Sequence, residues 1–564
     1  MDENMNNKIQ IVIPMSGFGE RFRKAGYQIP KPLIEIEGKP IIAHVIEMFD
    51  DEKEFIFICN QEHLDNDKYI MKETILKYCP TGKIIGIPAH HLGPIHAVEQ
   101  IYDLLDLKRP VVVNYCDFTC YWDWKHFKRY ILSIGCDGAI PAYKGFHPHC
   151  LGTTNYAYIK ENNGLVEDIQ EKQPFTQNRM DEYASSGTYY FSSAELMMQA
   201  FDETIINDLK VNGEFYVSMA FKYLLKEKKN VCVYPLQHFM QWGTPEDVQE
   251  YQNWSSIFKK LILNKKEEFL SSGTTIIPLA GAGQRFVDEG YEKIKPLISV
   301  SGKPMVLQAH GDLPHTKNNI FVLRKNMKDV DKISNEILEN IPNVNIVELN
   351  DITDGQACTA SYGLEALKDK SDALITFGAC DNGMIYDDLK LRGLLEDSDV
   401  DVIVWGVRGH PNAIRNPQMF GWIEEENGLI KKISVKKPLI NPTNDPIVLG
   451  TFTFKKKEYF ERSFSALVEK NHRINNEFYI DSCINEAIYL GLKCYYFEVE
   501  HYISWGTPNE LRTFEYWQSC FHKWISHPYC LEKDIKVNPQ KLVKLSEKYQ
   551  KTIPESTLEN HLYA

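Results

Sequence analysis

Residues 11–42 read IVIPMSGFGERFRKAGYQIPKPLIEIEGKPII, and residues 275–306 read TIIPLAGAGQRFVDEGYEKIKPLISVSGKPMV. Laid side by side, Gly17, Gly19, Arg21, Phe22, Gly26, Tyr27, Lys31, Pro32 and Leu33 each meet the same residue in the later stretch. Their partners are Gly281, Gly283, Arg285, Phe286, Gly290, Tyr291, Lys295, Pro296 and Leu297. Each stretch opens on a short apolar, β-branched run, turns through glycines and continues as a basic, polar segment. That order predicts a strand, a tight glycine loop and the start of a helix.

The echo continues in the same order at the same separation, about 264 residues, the distance from Lys31 to Lys295. VVVNYCDF, ending at Asp117 and Phe118, answers ALITFGACD, which ends at Asp381. DIQEKQP with Lys172 answers KISVKKP with Lys436; NGEFYV answers NNEFYI, and QWGTPEDV answers SWGTPNEL. The period is far longer than that of a solenoid repeat, so each copy is a whole domain. The expected organisation is a first domain over 1–255, a linker over 256–273, a second domain over 274–518 and a helical C-terminal extension over 519–564.

Within each copy, runs such as EFIFICN, KIIGIPA, PVVVNYC and VCVYPLQ alternate with helix-length segments such as HAVEQIYDLLDL. Alternating strands and helices predict an α/β fold with a mostly parallel central sheet and ligands at the carboxyl ends of the strands. The 564 residues suit two cores rather than one. A formal net charge of −14 argues against a nucleic-acid surface, yet leaves room for a local basic pocket. No apolar run reaches membrane-spanning length, and the polar opening MDENMNNK shows no secretory signal. The thirteen cysteines, scattered and without a C-x-x-C pair, fit a reduced cytoplasmic protein. Cys116 with Cys120 reads as two buried thiols, since tetrahedral zinc needs four converging ligands.

The chemistry sits in the repeated motifs. Glycines at 17 and 19 let backbone N–H groups approach phosphate oxygens, and Phe18 lies between them. Arg21 follows two residues on, placed to fork onto phosphate, and Lys31 is pinned between Pro30 and Pro32. G-x-G-x-R, then P-K-P-L, then G-K-P resembles the sugar-phosphate nucleotidyltransferases, also called sugar-nucleotide pyrophosphorylases. The resemblance covers nearly all of both copies, and the RF-x-x-x-GY spacing with the WGTP ending is most similar to members of bacterial capsule and surface-polysaccharide pathways. It implies two tandem Rossmann-like nucleotidyltransferase domains that use Mg²⁺, an NTP and a sugar phosphate or related phosphate, such as the precursor of a CDP-alcohol.

By that resemblance, Gly17, Phe18, Gly19 and Gly93 of HHLGPIHA bind the nucleotide, as do Gly281, Ala282, Gly283, Gly355 and Gln356 in the second copy. Arg21, Lys31 and Lys172 are the catalytic cations, matched by Arg285, Lys295 and Lys436. Asp117 and Asp381 hold the metal. Glu171, Gly187 and Glu214 line the acceptor place of the first copy, and Glu477 that of the second.

The departures leave questions open. The family's second metal aspartate falls at Gln241 and Ser504, so Asp117 acts with the NTP and water, or with another carboxylate such as Glu214. The second copy has Ile294 for a proline and Val435 for the glutamate of E-K-Q-P. Either both copies are catalytic with different acceptors, or one works and the other is structural or regulatory. A nucleotide-sensing scaffold and a glycosyltransferase are the remaining rivals, although neither copy carries the Asp-x-Asp of the latter. The nucleobase stays open, a homodimer is one expectation for the assembly, and His147, His149 and Cys150 are expected in a polar loop facing the acceptor.

Overall fold

A computed structural model describes residues 8–236, 238–263, 270–281, 283–367 and 374–550. The chain divides into two compact units. One takes residues 1–256, 516–530 and 543–564; the other takes residues 257–515 and 531–542. Ala282, residues 264–269 of the expected linker and the tail from 551 onward lie outside the described residues.

The first unit is built on a ten-stranded sheet. Its parallel core is Lys83–Ile87, Phe55–Asn60, Gln10–Met15 and Val111–Asn114. These strands are the apolar runs of the sequence; burial on both faces explains why the inner three lack polar alternation, while Lys83–Ile87 is an edge strand and only partly buried. Thr188–Phe191 then runs antiparallel to Val111–Asn114 and joins the core to Gly138–Tyr143 and Val231–Pro235, which are parallel to each other. Leu165–Glu171, Ala157–Asn162 and Tyr183–Ser185 complete the sheet. Helices start on side-chain caps where the sequence offers them, as at Asp123 before Trp124–Ile134 and Ser193 before Ala194–Ile206.

The second unit repeats the plan with nine strands. Val344–Leu349, His315–Arg324, Leu270–Pro278 and Ile375–Phe377 form its parallel part. Ile447–Phe454 is the reversed strand that follows, and Val402–Val407, Cys494–Glu498, Leu429–Val435 and Gly421–Glu426 complete the order. Both sheets are more mixed than alternation alone implies, because each carries a reversed strand immediately beyond its parallel core.

The expected boundaries shift. The segment read as a linker continues the helix Pro245–Leu263 and enters the strand Leu270–Pro278. The segment read as a separate extension is shared out. Within the first unit, His238 Nε2 lies 2.5 Å from Ser519 Oγ, and His527 Nε2 lies 3.1 Å from Ser255 Oγ. Within the second, Lys536 Nζ donates to Asp312 Oδ2 at 2.5 Å and Asn538 N donates to Ser301 O at 3.0 Å. No helix among the described residues is long and apolar enough to cross a membrane.

Candidate active site

Each site begins where the first parallel strand ends. After Gln10–Met15 the chain passes through Gly17 and Gly19; Gly19 has φ +63°, in the left-handed region that glycine adopts freely. A Cβ at either position would meet no atom within 4 Å, so this backbone is open to close approach. Phe18 stacks on His91 with ring centroids 4.5 Å apart, tying the glycine loop to the loop that holds Gly93. In the second unit Gly283 repeats the φ of +63°.

The P-K-P-L motif is a single 3-10 turn over Lys31–Leu33, with Pro32 buried. The turn sends Lys31 to the end of another strand, where Nζ donates to Asp117 Oδ2 at 2.9 Å. Lys295 repeats the contact with Asp381 Oδ2 at 2.5 Å. Burial works against charge on Lys31, but Asp117 and Cys116 together outweigh it and the ammonium is held more firmly than usual. Lys295 behaves alike, with Glu510 adding to the pull of Asp381.

A small ribbon then brings the C-terminal motif to this pair. Phe118–Tyr121 pairs antiparallel with His238–Gln241, and Trp242 N donates to Asp117 O at 2.7 Å. Asn382–Ile385 and His501–Ser504 do the same in the second unit, with Trp505 N on Asp381 O at 2.8 Å. Trp242 and Trp505 are buried under the ribbon, as packing residues. The helix that follows opens on Thr244, whose Oγ1 accepts from Asp247 N at 3.1 Å while Asp247 Oδ2 accepts from Thr244 N at 2.9 Å. That reciprocal cap orients Asp247. A Cβ placed on Gly243 would lie 3.2 Å from Asp117 Oδ2 and 3.7 Å from Asp247 Oδ2, so the two carboxylates converge. On Gly506 the distances are 3.1 Å to Asp381 Oδ2 and 3.4 Å to Glu510 Oε2.

Asp247 and Glu510 were missed from sequence. The expected second carboxylate place holds Gln241, whose Nε2 donates to Asp247 Oδ1 at 2.6 Å and whose buried Oε1 has no partner. Glu214, the alternative considered, is engaged elsewhere as acceptor of the Tyr216 hydroxyl. The available signal was an acidic residue at the fourth place after the glycine in both W-G-T-P motifs.

The remaining expected residues gather beside Arg21. Lys172 sits at the end of Leu165–Glu171 with φ +59°, and Lys436 matches it at +58°. A bulky residue in that region is strained, and such strain is concentrated where a side chain must be aimed. Lys172 Nζ donates to Tyr216 OH at 2.6 Å, and Arg21 lies close enough to act on that tyrosine. Glu171 Oε2 accepts from Ser218 Oγ at 2.6 Å; burial pushes its carboxyl up to about 7, against Ser218 and Lys172, which pull it down. Gly187, at φ +98°, lies against Tyr115, whose ring would stand 2.9 Å from a Cβ there. Gly93 and Gly355 pack on the same acidic segment of their units. A Cβ at Gly93 would stand 2.7 Å from Phe215 N, and one at Gly355 2.5 Å from Phe478 N, with Glu214 and Glu477 adjoining. Gln356 begins the helix Gln356–Glu365 directly after Gly355. Lys436 faces Asp481, Arg285 and Glu477, and burial holds its ammonium below the usual range.

His147 and His149 are not on a polar loop. Both are buried, His147 Nε2 against Phe239 O at 2.9 Å and His149 Nδ1 against Tyr143 OH at 2.9 Å, and burial depresses both imidazoles, His147 to about 3. The ring cluster of Tyr143, Tyr156 and Phe239 draws them inward. Cys116 is buried and Cys120 half-buried, both as free thiols, and no cluster of three metal-ligating side chains occurs among the described residues.

Cations flanking an open glycine loop at the carboxyl ends of parallel strands can hold two anionic groups side by side, which defines an α/β enzyme of phosphate chemistry. Residues 11–254 match the family model described as Nucleotidyl transferase. A mannose-1-phosphate guanylyltransferase catalytic subunit beta of Dictyostelium discoideum is 22% identical over 277 residues, 48% of this chain and 70% of the relative. The bifunctional protein GlmU of Methanocaldococcus jannaschii is 26% identical over 240 residues, 42% of this chain and 52% of that protein. Among solved structures, a nucleoside-diphosphate-sugar pyrophosphorylase from Vibrio cholerae aligns at 21% identity over 43% of this chain and 98% of its own, with a TM-score of 0.35.

Proposed function

We propose that each unit transfers a nucleotidyl group from an NTP to a sugar phosphate or related phosphate ester and releases pyrophosphate, so that the chain is bifunctional. The observation that carries this reading is the recurrence in both units of one arrangement. A lysine is paired with a strand-end aspartate, and a second lysine in the left-handed region shares its neighbourhood with an arginine from the glycine loop, Lys436 with Arg285 directly and Lys172 through Tyr216, which Arg21 also approaches. The names of the mannose-1-phosphate guanylyltransferases support a sugar phosphate as acceptor. The sequence motifs support a place in surface-polysaccharide synthesis.

In the reaction, an acceptor phosphate oxygen attacks the α-phosphorus of the NTP. The new P–O bond forms as the bond to the β-phosphate oxygen breaks, and pyrophosphate leaves with the electron pair. The attacking phosphate is already ionised, so no general base is required. What the chain must supply is position and charge. Gly17 and Gly19 present backbone N–H groups to the triphosphate, flanked by Phe18. Lys31 and Arg21 face the α-phosphate, and Lys172 grips the acceptor phosphate. Glu171 and Glu214 take acceptor hydroxyls beside Gly187, and the Gly93 loop reads the base. Gly281, Gly283, Arg285, Lys295, Gly355, Gln356, Lys436 and Glu477 take the matching parts in the second unit.

The residues also fit the Mg²⁺ that the resemblance implies. Two carboxylates converge beside Gly243, next to a buried and unpartnered amide oxygen, a donor set of the hard-oxygen kind. Asp117 with Asp247, and Asp381 with Glu510, would hold the ion. Its chemistry is neutralisation of triphosphate charge as the α-phosphorus is attacked. The test is pyrophosphate release with Mg²⁺, each common NTP and dTTP, and a panel of sugar 1-phosphates and phosphorylated alcohols. No release under any pairing, despite NTP binding, overturns the reading.

A further inference from the structure

Three positions beside the acceptor lysine differ between the units, and they differ together. In the first unit Glu171 pairs across the strands with Ala157 and accepts from Ser218 on the helix Val217–Lys226. In the second, the matching strand pair is Val435 with Gly421, and the matching helix residue, in NNEFYID against NGEFYVS, is Asp481. The carboxylate has left the strand and reappears on the helix.

Gly421 is what admits it. A Cβ there would stand 2.3 Å from Asp481 Oδ2, closer than a side chain tolerates, whereas the unit with the shorter serine carries alanine at this place. Random loss of the glutamate would leave valine without explaining the glycine or the new aspartate. A plain structural ion pair does not explain them either. Lys436 is near enough to act on the charge of Asp481, yet its Nζ donates to Met419 O at 2.6 Å. A mostly buried carboxylate held without such a pair is costly to the fold, and the cost is offset where a ligand supplies the hydrogen bonds.

We propose that Asp481 is the acceptor-recognising carboxylate of the second unit, replacing the glutamate lost at Val435. This unit then takes a phosphate ester whose hydroxyl donors face the helix Ile480–Tyr489 rather than the strand. The proposal rests on the phosphate-acceptor reading above and deepens it. It also explains how two copies of one domain serve two acceptors: the phosphate grip is common to both, and the hydroxyl grip is moved across the site.

The experiment uses the full chain carrying Lys172→Ala, which removes the acceptor grip of the first unit. Mannose 1-phosphate, glucose 1-phosphate, inositol 1-phosphate and glycerol 3-phosphate are titrated by calorimetry, with an NTP titrated separately. Asp481→Asn, added to this chain, weakens the acceptor that binds by about 10- to 100-fold, the range for a hydrogen bond to a charged group, and leaves NTP affinity unchanged. In a second variant, Gly421→Ala, Val435→Glu and Asp481→Ser together move the preference toward that of the first unit. Unchanged acceptor affinity in Asp481→Asn overturns the proposal, as does NTP binding with no acceptor binding at all. Parallel loss of NTP affinity and thermal stability assigns Asp481 to the fold and overturns it as well. Pyrophosphate release by the unmodified chain is a separate readout, so failure of the transfer reading is told apart from failure of this one.

Discussion

Replacing Lys31 or Lys295 by alanine separates the two reactions and puts a magnitude on the charge each lysine supplies. Lys31 Nζ stands 2.9 Å from Asp117, with 23% of its side chain exposed; Lys295 stands 2.5 Å from Asp381, with 18% exposed. Both ammonium groups are therefore mostly shielded from water, and both are held protonated by their aspartates. A lysine about 4 Å from a phosphate in such a setting interacts by roughly 4 kcal/mol at an effective dielectric of 20. If most of that is realised only as the α-phosphorus is attacked, each substitution lowers kcat/KM by about 10³. Steady-state pyrophosphate release, with each acceptor found in the panel, measures it. Lys31→Ala lowers the reaction with one acceptor by about that factor and spares the other; Lys295→Ala does the reverse. Lys31→Arg does not rescue fully, because the guanidinium fork cannot occupy the place of a compact ammonium. A loss below tenfold in both reactions refutes the assignment of charge stabilisation to these lysines. Loss of both reactions from one substitution refutes the independence of the two sites.

Asp247→Asn and Glu510→Gln each weaken Mn²⁺ binding by at least about tenfold at their own site, read by electron paramagnetic resonance on the unreacted protein; unchanged affinity removes these residues from the metal site. Gly355→Ala forces a Cβ to 2.5 Å from Phe478 N at a φ of +129°, so it lowers unfolding free energy by about 2 kcal/mol or more in urea; Gly93→Ala is expected to follow. Glu171 carries a carboxyl pushed up to about 7 by burial, with Lys172, Ser218, Glu214, Tyr115 and Tyr189 facing it. Because the raised value means it is protonated below that pH, acceptor KM in the first unit falls as pH rises from 6 to 8, and Glu171→Gln flattens that dependence. The same sign makes the buried carboxylate a stability cost that grows as pH rises from the ordinary range toward 7, so Glu171→Gln unfolds at a higher temperature than the parent at pH 8.

The parts of the site that stay close along the chain were legible. Gly17, Gly19, Arg21 and Lys31 fall within fifteen residues, and proline on either side of Lys31 fixes its turn. Asp117 followed from its place at the end of an apolar run. The second carboxylate was not legible by the same means. Its usual place was sought at a fixed spacing before the glycine, where Gln241 and Ser504 stand. The ribbon that lays Phe118–Tyr121 against His238–Gln241 is set by pairing across more than a hundred residues, and it is this ribbon that brings the locally capped Asp247 up to Asp117. The shared spacing of Asp247 and Glu510 after the glycine marks an acidic residue in both copies, but does not show that it turns to face the strand-end aspartate. The C-terminal segment misled for a related reason: residues 519–564 read as a separate helical extension, while Phe521 and Tyr529 are buried within the first unit.

Val435 shows the difference between reading positions and reading neighbourhoods. Taken alone it is the loss of an acceptor glutamate, and it counted toward an idle second copy. Set beside Gly421 and Asp481 it is one of three coupled changes that keep a carboxylate near Lys436. The three residues lie on two strands and a helix, and 60 residues separate Gly421 from Asp481, so no motif of fixed spacing contains them all. A degenerating site loses its groups one by one, without preserving their sum. Here the carboxylate survives in a new place, and the strand opposite has shed the methyl group that would exclude it. A site built that way is arranged for a different ligand, and the pairing of a shared phosphate grip with a displaced hydroxyl grip is the simplest physical route from one ancestral pocket to two specificities.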